Sequence, residues 1–355
     1  MVLVRTTPPR PVDVTAVFPE LAPSARPVIR LHPRAGSPSV EDSSVGGPLL
    51  WPAAEPWPHC EGPHQDGGFR RPLAEVRLDR RVRARLHRDP HGPGLTPEEE
   101  AVRARNAAAA RERHDAGSPR PAERPVPLLP VAQLYVRDIP LLRPPGGADL
   151  LQVLWCPYDH DPDHKPSTAL FWRSAAEVGD VLGTPPEPYE AEYPGYVPEP
   201  CLLAPEAISE YPNSLDLSPE LQQALEDWGR WQAADAGVDD SYAEYPPEFY
   251  NGELANAPGW KVGGWPPWGR TDPNPRFCAV CAVRMVPLLT VASFEWDGGT
   301  HGWVPYEDRA AASAAGHVAG LDPAQPTGVE VGSTDNLQLY VCPADPEHPH
   351  TDLVQ

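Results

Sequence analysis

The chain has no run of eighteen apolar residues, no Gly-x-Ser-x-Gly turn and no Gly-x-x-x-x-Gly-Lys loop. The first absence argues against a membrane-spanning helix. The other two leave nucleophile-elbow hydrolysis and P-loop phosphate chemistry without support. Six cysteines among 355 residues are too few for a secreted disulfide framework. The N-terminus lacks the charged-then-apolar pattern of a secretion signal, so the expected compartment is the cytoplasm. Positive charge is also scarce. Against 50 Asp and Glu there are 29 Lys and Arg, a formal net charge of −21. Such a balance disfavours nucleic acid as the main partner, because phosphate repels it.

Proline and tryptophan are abundant instead, at 51 and 11 residues. Proline normally makes up about one residue in twenty. Low-complexity disorder would explain the proline but not the tryptophan, which alternates with it in motifs such as Gly263-Gly264-Trp265-Pro266-Pro267-Trp268. Many short strands and turns with few long helices are expected. The motif has an earlier, stretched-out partner in Gly46-Gly47-Pro48, Trp51-Pro52 and Trp57-Pro58. Paired glycines let the backbone turn or approach a neighbour closely, so both motifs are read first as turns and core.

Two further blocks repeat in the same order. Val126–Leu134 and Val286–Phe294 share six of nine residues, and Asp149–His164 and Asp335–His350 share seven of sixteen without a gap. Two copies indicate a duplicated lobe rather than a solenoid, which needs three or more units. Residues 1–45 read as an N-terminal arm with one short strand at Val28–Leu31. Residues 46–183 form the first lobe and 259–355 the second. Within the first lobe, 65–125 is an insertion with fourteen Arg and ten acids. There Thr96-Pro97-Glu98-Glu99 is a helix start, a Thr cap with Pro first and Glu third, predicting a helix to about His114 that ends before Gly117. Its apolar face is weak, so it is either a solvated surface helix or an Arg-bearing arm for an acidic partner.

Residues 184–258 connect the lobes and hold sixteen acids against the single base Arg230. Ser218-Pro219-Glu220 starts a helix over 219–235 with Leu221, Leu225, Trp228 and Trp231 on one face and Gly237 past its end. Seven of the eleven tyrosines lie in this connector. Disordered segments are poor in aromatics, so the connector is expected to lie on the core. Its charge and rings suggest a surface for a basic protein, built from Tyr189, Tyr193, Tyr196, Asp239, Asp240, Tyr242, Glu244 and Tyr245. The bland alternative is that the rings pin the connector to the core.

Cys278-x-x-Cys281 with Cys342 and His348 or His350 has the residue types of a tetrahedral zinc site. Cys60, His64, Cys156 and His160 or His164 form a looser counterpart in the first lobe. Buried structural thiols are the competing explanation, a common state for cysteine. His301 beside Asp297 could act as a general base, but Asp297-Gly298-Gly299 reads first as a turn.

At these motifs the chain resembles the YwqG-like family of bacterial domains of unknown function, in an actinobacterial form. The likeness rests on Ser44-Val45-Gly46-Gly47-Pro48 with Trp57-Pro58, on Val126–Leu134, on Trp260-Lys261-Val262-Gly263-Gly264-Trp265-Pro266 and on Leu288–Trp296. The family's Gln after the apolar strand is present at Gln133, whereas Ser293 stands in that place in the second copy. A more distant likeness is to the C-terminal part of the programmed cell death protein 2 family, which shares Lys-x-Gly-Gly-x-Pro-x-Trp and nearby Cys. That family is associated with escorting a basic ribosomal protein. Neither resemblance implies an enzyme activity.

The expectation is therefore a cytoplasmic, β-rich α+β protein of two related lobes from an internal duplication, with short antiparallel strands. Its expected function is non-enzymatic protein binding, as a chaperone-like or immunity-type partner of a basic protein. The alternative is a zinc-binding protein with a structural or hydrolytic site.

Overall fold

The computed structural model describes residues 4–64, 70–89, 94–115, 125–234, 238–314 and 322–355. The fold is β-rich α+β. Its strands form two six-stranded antiparallel sheets and two short two-stranded ladders. The first sheet runs β2 (Arg34–Ala35), β11 (Cys201–Leu202), β3 (Ser44–Val45), β7 (Leu129–Tyr135), β8 (Leu150–His160), β9 (Lys165–Arg173). The second runs β12 (Glu206–Glu210), β1 (Arg26–Arg30), β13 (Lys261–Gly263), β14 (Val286–Ala292), β15 (Asn336–Val341), β16 (Thr351–Val354). The ladders pair β4 (His59–Cys60) with β6 (Val126–Pro127) and β5 (Arg71–Pro72) with β10 (Glu190–Ala191).

The last four strands of each sheet follow one plan. A short strand ending at the Gly-Gly motif pairs with a bulged strand, then with the Cys-Pro strand, then with an edge strand. Both bulges fall after a proline, at Pro130/Ala132 and Pro287/Leu289. Counting from them, Leu129–Tyr135 corresponds to Val286–Ala292, three residues away from the Val-Pro-Leu-Leu alignment of the sequences. Gln133 faces Gln152 and Thr290 faces Gln338. Thr290, not Ser293, thus occupies the place of Gln133. Gln133 accepts from the Leu50 N–H (2.7 Å) and from Gln152 Nε2 (2.9 Å), and it donates to the Val40 carbonyl (2.8 Å). This fully buried amide is committed to holding the first Gly-Gly loop, so it has no spare capacity for a ligand.

Segments read as peripheral are woven into these sheets. β1, from the N-terminal arm, lies inside the second sheet between β12 and β13. The connector supplies β10, β11 and β12. One apolar cluster draws on both sheets, including Ile29, Val45, Val131, Leu151, Val262, Leu289 and Leu339. A second joins Val14, Phe18 and Leu21 of the arm to Leu225, Trp231, Phe249 and Tyr250 of the connector. The helix expected over 219–235 is two helices, Pro219–Leu225 and Trp228–Ala234. The indole N–H of Trp231 takes the Leu225 carbonyl at 2.9 Å, where a continuous helix would place a backbone N–H. Gly237 and Gly117 lie outside the described residues.

The helix over 97–114 is present as Pro97–Asp115, with the Thr96–Glu99 capping box formed in both directions at 2.8 and 3.2 Å. A second helix in the insertion, Leu73–Arg88, gave no sequence signal that was recognised. It buries Leu73, Val76 and Leu78, the first two in the main core. Its arginines lie on the acidic connector. Arg77 binds Glu187 (2.5 and 2.8 Å), and Arg80 binds Glu199 (2.8 Å) and the Val197, Pro194 and Gly328 carbonyls. The acidic partner of this Arg-rich segment is thus part of its own chain.

The Lys-x-Gly-Gly motif is built around one carboxylate. Glu210 of β12 is fully buried and accepts from Lys261 Nζ at 2.6 Å and from the Ala257 and Trp265 N–H groups at 2.9 Å. Gly264 has φ +71°, and a Cβ there would collide with Glu210 Oε2. The motif therefore needs glycine for both conformation and space.

Candidate metal centres

Two groups of four metal-ligating side chains converge, one beside each Cys-Pro strand. The first is Cys60, His64, Cys156 and His160; the second is Cys278, Cys281, Cys342 and His348. In each group the donor atoms all lie within 4.8 Å of one another, an arrangement that could hold a metal ion.

Local structure explains the convergence. Cys156 and His160 both come from β8, across its register irregularity between Trp155 and Asp159. Cys60 ends the two-residue β4 ladder, and His64 follows in the loop that folds back over β8. Their atoms are close: Cys60 Sγ to His64 Nε2 3.3 Å, Cys156 Sγ to His64 Nε2 3.3 Å, Cys60 Sγ to His160 Nε2 3.7 Å. In the second group a tight turn over 278–282 brings Cys278 and Cys281 together. It is closed by Cys278 N–H to Val283 O and Ala282 N–H to Cys278 O, both 2.9 Å, with Ala282 at φ +57°. Cys342 follows β15, and His348 comes from the Pro-rich turn beyond it. Cys278 Sγ lies 3.4 Å from His348 Nδ1 and Cys281 Sγ 3.5 Å from Cys342 Sγ. The edges of a tetrahedron with metal–sulfur and metal–nitrogen bonds near 2.3 and 2.1 Å are about 3.4–3.8 Å. The observed spacings match those edges, and all six cysteines are free thiols.

The choice between paired histidines is resolved. His348 joins the second group, with Asp345 Oδ2 3.6 Å from its other ring nitrogen, a carboxylate placed to orient the ring. His350 instead meets Thr168 Oγ1 at 2.8 Å, next to Asp352, which pairs with Lys165. These contacts join edge strand β9 of one sheet to β16 of the other. In the first group His160 converges and His164 does not.

Each group favours thiolate form at one or more of its cysteines. The hydrogen bond with the Cys156 thiol, aided by His160, the Gly62 N–H and His64, pulls Cys60 far below an ordinary thiol, while the same contact pushes Cys156 up. In the second group burial opposes ionisation of Cys342, but the Asp345 N–H, His348 and the Ala344 N–H outweigh it and hold it at about 6. The N–H of Cys281 likewise lowers Cys278. His348 is raised by its hydrogen bond to Cys342. Thiolates are the form that binds metal.

No protein-family model matches the chain, and no curated protein matches it.

The residues expected to bind a partner divide. Tyr189, Tyr193 and Tyr245 are exposed. Asp239, Asp240 and Glu244 are exposed as well, and Tyr242 is half-buried against Phe249. Tyr196 is buried, with its ring against Trp155 and its hydroxyl donating to Asp159 at 2.8 Å, so it is a core residue and not a contact residue. Tyr189 and Tyr193 sit beside the Arg-rich helix, whereas 239–245 belong to the cluster of the arm and connector. Asp297 accepts from the Gly299 N–H and Thr300, which is the turn reading; His301 begins a short 3₁₀ helix. Among the described residues no helix is long and apolar enough to cross a membrane.

One cavity was not anticipated. It has about 130 Å³ and lies between the Trp265-Pro266-Pro267-Trp268 motif and the cysteine turn. Arg26, Arg276, Arg284 and Tyr340 line it. Arg26 is far in sequence from Arg276 and Arg284, and only the fold brings it to them.

Proposed function

We propose that the protein is a non-enzymatic binding module whose two sheets are each pinned by a structural zinc ion. The observation that carries this is where the two groups sit. β4 and β6 share a ladder of two residues, too short to hold by itself. The cysteine turn is closed by the single bridge Phe277–Arg284 and leaves Phe277, Val280 and Val283 exposed. Both segments have little regular structure of their own beyond the few apolar residues they bury, and both supply ligands. Mixed thiolate and imidazole sets suit zinc. Four protein ligands also leave no open position for water or substrate, which favours a structural over a hydrolytic site. Structural zinc contributes about 10–16 kcal/mol of apparent binding free energy at neutral pH, enough to order such segments. The matched bulges and matched metal groups support reading the halves as copies.

Elemental analysis of protein purified without chelator tests this. Two zinc ions per chain are expected, with Cys156→Ser and Cys342→Ser each losing one. Protein that carries no zinc, takes up none and unfolds identically with and without chelator overturns the reading.

A basic protein partner is supported by the exposed face at Asp239, Asp240, Glu244 and Tyr245. Acids there steer encounter and an exposed ring adds contact area. The distant likeness to a family that escorts a basic ribosomal protein points the same way. The Arg-rich helix already engages the acids at 187–199, so the face at 239–245 is the one left for another molecule.

A further inference from the structure

We propose that the cavity beside the second cysteine cluster is a binding site for a small oxyanion, a carboxylate or a phosphate group. The proposal goes beyond the scaffold reading, because a structural metal site requires no ligand next to it.

The cavity has a cationic wall in an acidic protein. Arg26 lies over the Trp265 ring at 3.4 Å, and Arg276 and Arg284 flank the cysteine turn on the opposite side. Against these three guanidinium groups there is one lining carboxylate, Asp216. Asp216 is already engaged by the Trp268 indole N–H at 2.6 Å. A local excess of positive charge in a chain of net charge −21 stands out against its surroundings. Several arginines elsewhere are consumed by internal pairing, as Arg77, Arg80 and Arg173 are. Among the described residues, Arg26 and Arg284 make neither an ion pair nor a side-chain hydrogen bond, and Arg276 reaches only the Asp352 carbonyl at 3.5 Å. Three guanidinium groups against a single carboxylate leave a surplus of the fork-shaped donors that recognise carboxylate and phosphate.

A second, independent observation points into the same space. Tyr340 is 3% exposed and lines the cavity, and its hydroxyl is buried with no hydrogen-bond partner. Buried hydroxyl groups are nearly always satisfied, so an unpaired one facing a cavity marks the place of an acceptor. A phenol donor beside guanidinium donors is a set that an acceptor-rich, negatively charged group can complete.

Size sets the class. About 130 Å³ is the room of about four water molecules. It admits a phosphate or a short carboxylate with the Trp265 and Trp268 rings against its body, and it is too small for a nucleotide or other drug-sized ligand. The fold brings the donors together from three places: β15 carries Tyr340, β1 begins at Arg26, and the other two arginines flank the cysteine turn.

The test is titration of the full chain, its metal content measured beforehand, with inorganic phosphate and separately with acetate at constant ionic strength. Calorimetry gives the affinity, and the ¹⁵N–¹H signals of the Trp265 and Trp268 indoles report the place. Saturable binding near millimolar affinity is expected for at least one anion. Arg284→Gln, at an exposed side chain, should weaken it about tenfold, the scale of one charge-assisted hydrogen bond. Tyr340→Phe removes only the hydroxyl and should weaken it about threefold. A preference for phosphate assigns a phosphate-bearing ligand, and a preference for acetate a carboxylate. No binding of either anion up to about ten millimolar, or equal affinity in wild type and both variants, overturns the proposal. Loss of metal with retained anion binding would count against the zinc reading alone.

Discussion

Replacing Glu210 by Gln isolates what holds the Lys-x-Gly-Gly motif. The change is nearly isosteric, so cavity formation contributes little. The structure sets the magnitude. Glu210 and Lys261 are 0% and 1% exposed and their charged atoms are 2.6 Å apart. Breaking a buried pair from one side costs about 3–5 kcal/mol, because the remaining charge is left without compensation. The carboxylate also accepts the Ala257 and Trp265 N–H groups at 2.9 Å through its two oxygens. An amide keeps one acceptor and turns a donor towards the other N–H, which adds about 1–3 kcal/mol. The expected deficit at pH 7 is thus about 4–8 kcal/mol, a large part of the ~5–15 kcal/mol that a domain possesses.

The same variant has a pH signature. Burial already lowers Lys261, and the attraction of Glu210 is what opposes that shift. Without the carboxylate the folded-state value falls further below the unfolded value of about 10.4. The unfolded chain then keeps a proton that the folded chain does not. The penalty is present at neutral pH and fades as pH rises towards the unfolded value, by at most about 1.4 kcal/mol per pH unit. Urea unfolding of variant and wild type at pH 7 and pH 9 reads this directly, since other titrations are common to both. A deficit under about 1 kcal/mol at pH 7, or one unchanged at pH 9, would refute the argument.

Two further outcomes follow from the same kind of accounting. His32 is buried, with φ +44°, and burial followed by the nearby Arg30 lowers it to about 4, against a weaker pull from Glu206. Arg30, Arg34, Glu206 and Glu295 are the charged groups that face it. A histidine depressed in the folded state is neutral there while the unfolded chain takes up the proton. Wild type should therefore lose up to about 3 kcal/mol as pH falls from about 6.5 towards 4, and His32→Asn, which tolerates the positive φ, should lose less; equal acid slopes contradict this. Replacing Asp239, Asp240 and Glu244 by Asn, Asn and Gln should weaken capture of a basic protein, most at low salt where screening is least. Unchanged capture with unchanged salt dependence would remove the acidic face as the site.

The fold class and both cysteine groups were legible because they depend on short-range pattern. Cys-Pro marks the strand in each half, although β8 continues through Cys156-Pro157 to His160 while β15 stops just before Cys342, and Cys278-x-x-Cys281 is a local signal. What failed was register and placement. The Val-Pro-Leu-Leu identity aligns two strands three residues out of step, because the ladder is fixed by a bulge and by facing side chains, and identity along one strand carries no information on its neighbour. The arm gave its strand at Val28–Leu31 but not its position inside the second sheet, since nothing local states which distant strand will flank it. The Leu73–Arg88 helix was passed over as charged insertion. Its apolar residues are few, and its arginines are satisfied by Glu187, Glu199 and backbone carbonyls more than a hundred residues away. Tyr196 reads as a surface ring in the sequence, which shows its acidic neighbours but not the Trp155 ring it packs on.

The two Gly-Gly motifs place a cavity at corresponding positions, and the difference between the cavities bears on the oxyanion site. Pro130 and Pro287, matched through their bulges, line one each. In the first half the space of about 420 Å³ is walled by glycine, proline and aliphatic residues, and its arginine, Arg77, is paired with Glu187 in the same wall. Trp51 and Trp57 are turned inward there and pack on each other at 5.0 Å. In the second half the ion pair of Glu210 and Lys261 anchors the turn from behind, and Trp265 is left at the cavity with Arg26 on its face. The turn itself thus does not dictate a cationic wall, since the same turn in the first half carries none. Arg26 comes from the arm, and Arg276 and Arg284 from the residues around the cysteine turn. All three lie outside the motif that the halves share. An excess of positive charge added to one of two corresponding cavities, in a chain otherwise rich in acid, is what a ligand site requires and what the turn alone does not.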